Sequence, residues 1–173
     1  MSDLRTSELT GHYTLDPART RLAFLTRHTM GPWVRGRFDA FEGSARLDGH
    51  DPANSTVEVA VQAGSIQTGN PQRDEHLRAR FLDVAAHPLI RFASTGVAQL
   101  GPAAFRVTGG LTIRGVTRPI TVDLGLRYGE QDALVFEGSV GVNRMKWGVN
   151  WNAATSLLLA KEVTLELEIT AIP

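Results

Sequence analysis

The sequence predicts an all-β fold, an antiparallel barrel of eight long strands, with a two-sheet sandwich as the alternative architecture. Three observations carry this. Apolar and polar residues alternate along most of the chain, clusters of Gly, Pro and Asp separate the alternating runs, and a single stretch has helical character.

The alternation is clearest from Glu162 to Ile169, where every odd residue is apolar and every even one polar, so one face must be dry and the other wet. The same pattern marks runs at 19–28, 35–48, 55–63, 89–100, 104–113, 117–128, 133–143 and 161–171, with a short lead-in strand at 12–15. Parity assigns dry faces: Leu22 and Phe24, extended to Thr26 and His28; Val57, Val59 and Val61; Phe105, Val107, Leu111 and Ile113; Ile120, Val122, Leu124 and Leu126; Leu134, Phe136, Val140 and Val142. Between Phe38 and Phe41 the parity slips by one, as a β-bulge would cause. Turn clusters follow the runs at Asp48-Gly49-His50-Asp51-Pro52, Gly101-Pro102 and Tyr128-Gly129-Glu130, and Arg114-Gly115 reads as a tight hairpin turn.

The stretch 71–82 breaks the pattern. Pro71 opens it, Asp74 and Glu75 come early and Arg78 and Arg80 late, which matches the helix dipole. A short helix between strands is predicted there, with Leu77 and Phe81 four apart on its inward face.

Strands of roughly ten residues rising about 3.3 Å each make a body on the order of 30 Å tall. A sandwich would fill its dry faces against each other, whereas an eight-stranded barrel can hold one small ligand. Gly109, Gly125, Gly138 and Gly141 lie within strands and are taken as small lumen-side residues that leave space, which favours the barrel.

The chain has 173 residues, enough for one domain with its own core, assigned to 11–173 with residues 1–10 as a flexible N-terminus. Eighteen Lys and Arg balance 18 Asp and Glu, so no net field draws in nucleic acid or an anionic surface. There is no cysteine, which removes disulfides, thiolate catalysis and Cys-ligated metals. The start, Met1 to Glu8, carries acids and no apolar h-region, and no stretch is long enough for a membrane helix; a cytoplasmic location is the expectation.

Several segments, taken in order, resemble the YceI-like family. They are Leu15-Asp16-Pro17 with Leu22 to Gly31, Gly36-Arg37-Phe38 with Phe41-Glu42-Gly43, and Ser65 to Gly69 running into Arg73 to Leu77 and Phe81-Leu82-Asp83. His87 to Thr95, Gly109 to Pro119, and Arg144 with Trp147-Gly148-Val149 complete the set, which spans residue 13 to the C-terminus. The resemblance implies a lipocalin-like barrel with an elongated apolar interior that binds a polyisoprenoid, an isoprenoid quinone or a related acyl amphiphile. It also implies that the chain is not an enzyme, needs no cofactor, and can pair as a homodimer. Two departures bear on the ligand. Arg19-Thr20 stands where the family has His-Ser, and Thr26 replaces an apolar residue, which points to a ligand shorter or more polar than a long prenyl chain.

On this reading the ligand contacts are Leu22, Phe24, Thr26, His28, Phe38, Val57, Val59, Val61, Leu77, Phe81, Phe92, Leu111, Ile113, Val122, Leu124, Val163 and Leu165. His28 is read either as a headgroup contact or as a buried wall residue with its own partner. Arg73, Asp74 and His76 form the tightest polar cluster. They are read as fixing the helix to the barrel, with Asp74 and His76 as an acid/base pair on a lipid or quinone the enzymatic alternative, and a structural barrel with a filled core a third possibility. The five histidines lack metal-ligand spacing, and Gly138-Ser139-Val140-Gly141 lacks a nucleophile elbow. Trp33, Trp147 and Trp151 either ring the barrel mouth or cap its core.

Overall fold

The computed structural model describes residues 9–28, 33–150 and 159–173, with the side chains of His28 and Leu159 left out of the description. Among the described residues the chain forms β1 (Gly11–Leu15), β2 (Arg21–His28), β3 (Trp33–Phe38), β4 (Phe41–Leu47), β5 (Thr56–Gln62) and β6 (Ile66–Gln67). Helix α1 (Pro71–His76) and a π-helical turn (Leu77–Phe81) follow. Then come β7 (Leu89–Gly101), β8 (Ala104–Ile113), β9 (Val116–Tyr128), β10 (Leu134–Asn143) and β11 (Leu159–Ile172).

All pairings are antiparallel. β4, β5, β7, β8, β9, β10 and β11 pair in that order, and the sheet closes because β1 bonds β4 on one side and β11 on the other. β11 is long enough to pair with β2 over Leu159 to Glu168 and with β1 at Ala171 and Ile172. β1 and β2 are therefore halves of one barrel strand, and β3 and β4, which pair with β2 and β1, are halves of the next. Counted this way the wall is a closed eight-stranded barrel.

Both breaks have local causes. A 3-10 turn at Pro17–Arg19 interrupts the first strand, held by the Asp16 carboxylate, which accepts from the Ala18 amide at 3.1 Å and from Arg19 Nε at 2.7 Å. The second break corrects the expected bulge between Phe38 and Phe41. Asp39 and Ala40 leave the ladder altogether, and the two halves bond different neighbours. The parity slip is real, but it marks a corner rather than an extra residue in a continuous pair.

The predicted helix is present and changes pitch after His76. Asn70 caps it, its side chain accepting from the Arg73 amide at 3.1 Å, and Pro71 takes the first position, where a missing N–H costs nothing. Arg114 and Gly115 both have positive φ, +53° and +75°, as the tight turn joining β8 and β9 requires.

Apolar packing is concentrated at the two ends. At the end away from the helix, Leu9, Tyr13, Phe105, Leu126, Leu134 and Ala171 cluster. Leu9 and Thr10 thus depart from the expected flexible N-terminus: Leu9 is buried, and the Thr10 hydroxyl accepts from the Gly49 amide at 2.9 Å. Residues 1–8 lie outside the described residues. At the helix end Phe24, Ala63, Ile66 and Leu82 form one cluster and Leu111, Val142 and Trp147 another.

Candidate functional site

Between these clusters lies a cavity of about 340 Å³. Every strand of the closed wall contributes, because the inward parity of each is apolar. Leu22, Phe24 and Thr26 come from β2, Phe38 from β3, Val57, Val59 and Val61 from β5, and Phe92 from β7. Leu111 and Ile113 come from β8, Val122 and Leu124 from β9, Val163 and Leu165 from β11, and Leu77 and Phe81 from the π turn that covers one end. Of the residues expected to contact ligand, only the His28 side chain lies outside the description; its backbone pairs with Leu159.

The room is not made as the glycines suggested. Gly125 and Gly141 are exposed and sit on the outer face, between inward Leu124 and Leu126 and beside inward Val142. Gly109 and Gly138 do face inward, but a Cβ at Gly109 would meet the Phe92 ring and the Ala93 carbonyl, and one at Gly138 would meet Leu124 Cδ2 at 2.9 Å. Gly36 similarly lies under the Phe24 ring. Gly36 and Gly109 thus leave the space that the ends of the Phe24 and Phe92 rings occupy. Phe24 and Phe38 meet with centroids 5.8 Å apart and planes at 48°.

The lining contains little polarity. Thr26 is buried, and its hydroxyl donates to the Glu162 carbonyl at 3.3 Å, where the β2–β11 register shifts. That hydroxyl therefore belongs to the wall and gives no reason to expect a more polar ligand.

A cation that parity could not find also reaches the cavity. Arg144 is 6% exposed; its Nε donates to the Ala160 carbonyl at 3.0 Å and its Nη1 to the Val149 carbonyl at 2.6 Å. Desolvation by burial lowers its pKa, and its guanidinium carbon lies 5.9 Å from the Phe81 ring centre. Trp147, 2% exposed, donates Nε1–H to the Leu111 carbonyl at 2.8 Å and caps the core at this end. Trp33 is instead 61% exposed at the rim, with the Arg27 guanidinium 5.8 Å from its ring centre. Trp151 lies outside the described residues.

The cluster of Arg73, Asp74 and His76 stands apart from the cavity and lines none of it. Asp74 is buried and accepts from both the amide and the hydroxyl of Thr68, the amide at 2.9 Å. Arg73 donates Nε–H to the Thr68 hydroxyl and Nη2–H to its carbonyl, both at 2.8 Å. His76 stacks edge-on to Phe81, centroids 6.0 Å apart. These contacts fasten α1 to the segment after β6. Among the described residues no group of three His, Asp or Glu side chains comes together as a metal site.

Other cavity residues, among them Tyr13, Leu15, Phe105, Leu167 and Ile169, follow strand parity and were available to the same argument. Leu9, Val149 and Arg144 were not, since they sit in connections.

Known proteins match this chain over nearly its whole length. A family model described as the YceI-like domain matches residues 13–171. A UPF0312 protein of Pseudomonas aeruginosa is 33% identical over 158 residues, covering 87% of this chain and 80% of its own. Among solved structures, Burkholderia cenocepacia BcnA superposes with a TM-score of 0.83 at 21% identity, over 91% of this chain and 99% of its own. A polyisoprenoid binding domain from Saccharophagus degradans gives 0.75 at 15% identity, over 92% and 97%. A Campylobacter jejuni YceI protein gives 0.67 at 21%, over 85% and 90%.

Proposed function

The chain belongs to the YceI-like family, and from that premise we propose that it binds, stores or carries a long apolar amphiphile, a polyisoprenoid or isoprenoid quinone, inside its barrel. The observation that carries this is the cavity. By the cavity term measured for core truncations, leaving about 340 Å³ empty would cost on the order of 8 kcal/mol, comparable to the whole stability of an ordinary domain. A wall that keeps such a space has a use for it, and a chain entering it recovers about 25 cal/mol for each Å² of apolar surface removed from water. The volume also falls within the usual range for small-molecule sites.

The prenyl class is supported by the Saccharophagus degradans neighbour, which is described as a polyisoprenoid binding domain. Binding rather than catalysis is supported by the place of Asp74 and His76, which serve the anchoring of α1 and do not line the cavity.

Calorimetric titration of delipidated protein with a prenyl quinone tests the reading. Saturable uptake with a negative heat-capacity change is expected. Val59→Phe, which fills the cavity from the middle of β5, should weaken uptake at least tenfold without unfolding the barrel. Unchanged uptake by that folded variant would place the ligand elsewhere.

A further inference from the structure

The sequence is neutral overall, yet its charges are sorted along the barrel axis. The helix end gathers the adjoining ends of β2 and β3, α1 and its π turn, the β8–β9 hairpin and residues 144–150 after β10. Arg27, Arg78, Arg114, Arg118 and Lys146 lie within this end, against buried Asp74 and against Glu75, Asp83 and Glu162, while Arg35, further along β3, is paired with Glu166 at 3.5 Å. Ion pairs have not consumed this charge. Among the described residues Arg27, Arg118 and Lys146 have no carboxylate within ion-pair distance, and Arg114 is held by the carbonyls of Gly148 at 2.7 Å and Asn150 at 3.2 Å. The opposite end carries Asp48, Asp51, Glu130 and Asp132, with Arg19 and Arg46.

Trp33, the most exposed of the large hydrophobics, sits on the cationic end as the first residue of β3. A tryptophan beside arginines suits the interface of a bilayer, where the ring sits at headgroup level and cations meet anionic lipid. We propose that this end docks on an anionic membrane surface, with Trp33 entering the headgroup layer and the acidic end held away from it. The orientation matters for carriage. Leu77, Phe81, Trp147 and Val149 line the cavity at this same end, so docking sets the end walled by the π turn against the lipid. Contact is through the surface charge, so it is independent of whether the cavity is loaded.

Vesicle flotation tests this with delipidated protein and phosphatidylcholine vesicles that contain or lack phosphatidylglycerol. Binding is expected only to the anionic vesicles, and it should fall steeply with salt. Arg118→Glu combined with Lys146→Glu should reduce binding roughly tenfold or more. Arg46→Glu, a charge reversal at the opposite end, should leave it unchanged, with circular dichroism confirming folding of both variants. In a Trp151→Phe background, whose remaining tryptophans are Trp33 and the buried Trp147, quenching by brominated anionic lipid should be seen and should be lost when Trp33 is also replaced by Phe. No binding to anionic vesicles at low salt, or equal losses from the two charge reversals, would overturn the proposal.

Discussion

Trp147 shows how one side chain serves both the barrel and its interior. Its indole closes the helix end against Leu111 and Val142, and its N–H occupies the Leu111 carbonyl. Trp147→Ala should cost about 3–5 kcal/mol in denaturant unfolding, and Trp147→Phe less, about 1–3 kcal/mol, from the lost hydrogen bond and the carbonyl it leaves unmet. Asp74 does similar work for α1: Asp74→Ala should lower stability by about 1–3 kcal/mol while the folded variant keeps its ligand uptake, which titration would check. Loss of uptake would return Asp74 to the site. The far end offers a pH test. Backbone N–H bonds, foremost from Asp51 and then from His50, hold the Asp48 carboxyl below the usual carboxylate range. The folded pKa is depressed, so the stability this group gives is present above its unfolded pKa and is lost as pH falls through the lower folded value. An NMR titration of Asp48 should place its midpoint below that of a peptide aspartate; a midpoint at or above that value would contradict it.

At the scale of elements, the wall is made by glycines that admit rings. Gly109 lies where a Cβ would strike both the Phe92 ring and the Ala93 carbonyl. The ring can turn but the carbonyl cannot, so Gly109→Ala should destabilise by about 1–3 kcal/mol by overpacking, and a second change, Phe92→Ala, should not fully restore it. Full rescue would mean that the ring alone sets the spacing. The strands were legible because inward parity is apolar in nearly every run, a signal that survives bends and register shifts. The corner at Asp39 and Ala40 was less legible, since both flanking halves keep amphipathic alternation and nothing local says that their partners differ. Occurrence in a strand does not by itself put a glycine in the lumen: the parity of Leu124, Leu126 and Val142 turns Gly125 and Gly141 outward, while Gly109 and Gly138 share the inward parity. Arg144 escaped for another reason. A buried arginine held by backbone carbonyls in a connection has no periodicity to betray it.

For the whole molecule, closure of the sheet and persistence of a large apolar space are linked. Apolar clusters pack at the two ends, and the cavity between them is lined by Val, Leu, Ile and Phe side chains from every strand of the wall. A ligand that fills the space should stabilise the fold by mass action: at a hundredfold excess over its Kd the gain is about 2.7 kcal/mol, or roughly 5–10 °C in Tm for a chain of this size. The proposed occupant of the space is a lipid with a long prenyl or acyl chain. The most direct test is organic extraction of protein purified without detergent from a bacterium that makes prenyl quinones, followed by mass spectrometry of the extract. One prenyl lipid in near-stoichiometric amount is expected, reduced in the Val59→Phe variant. A lipid-free extract from folded wild-type protein would contradict the proposal.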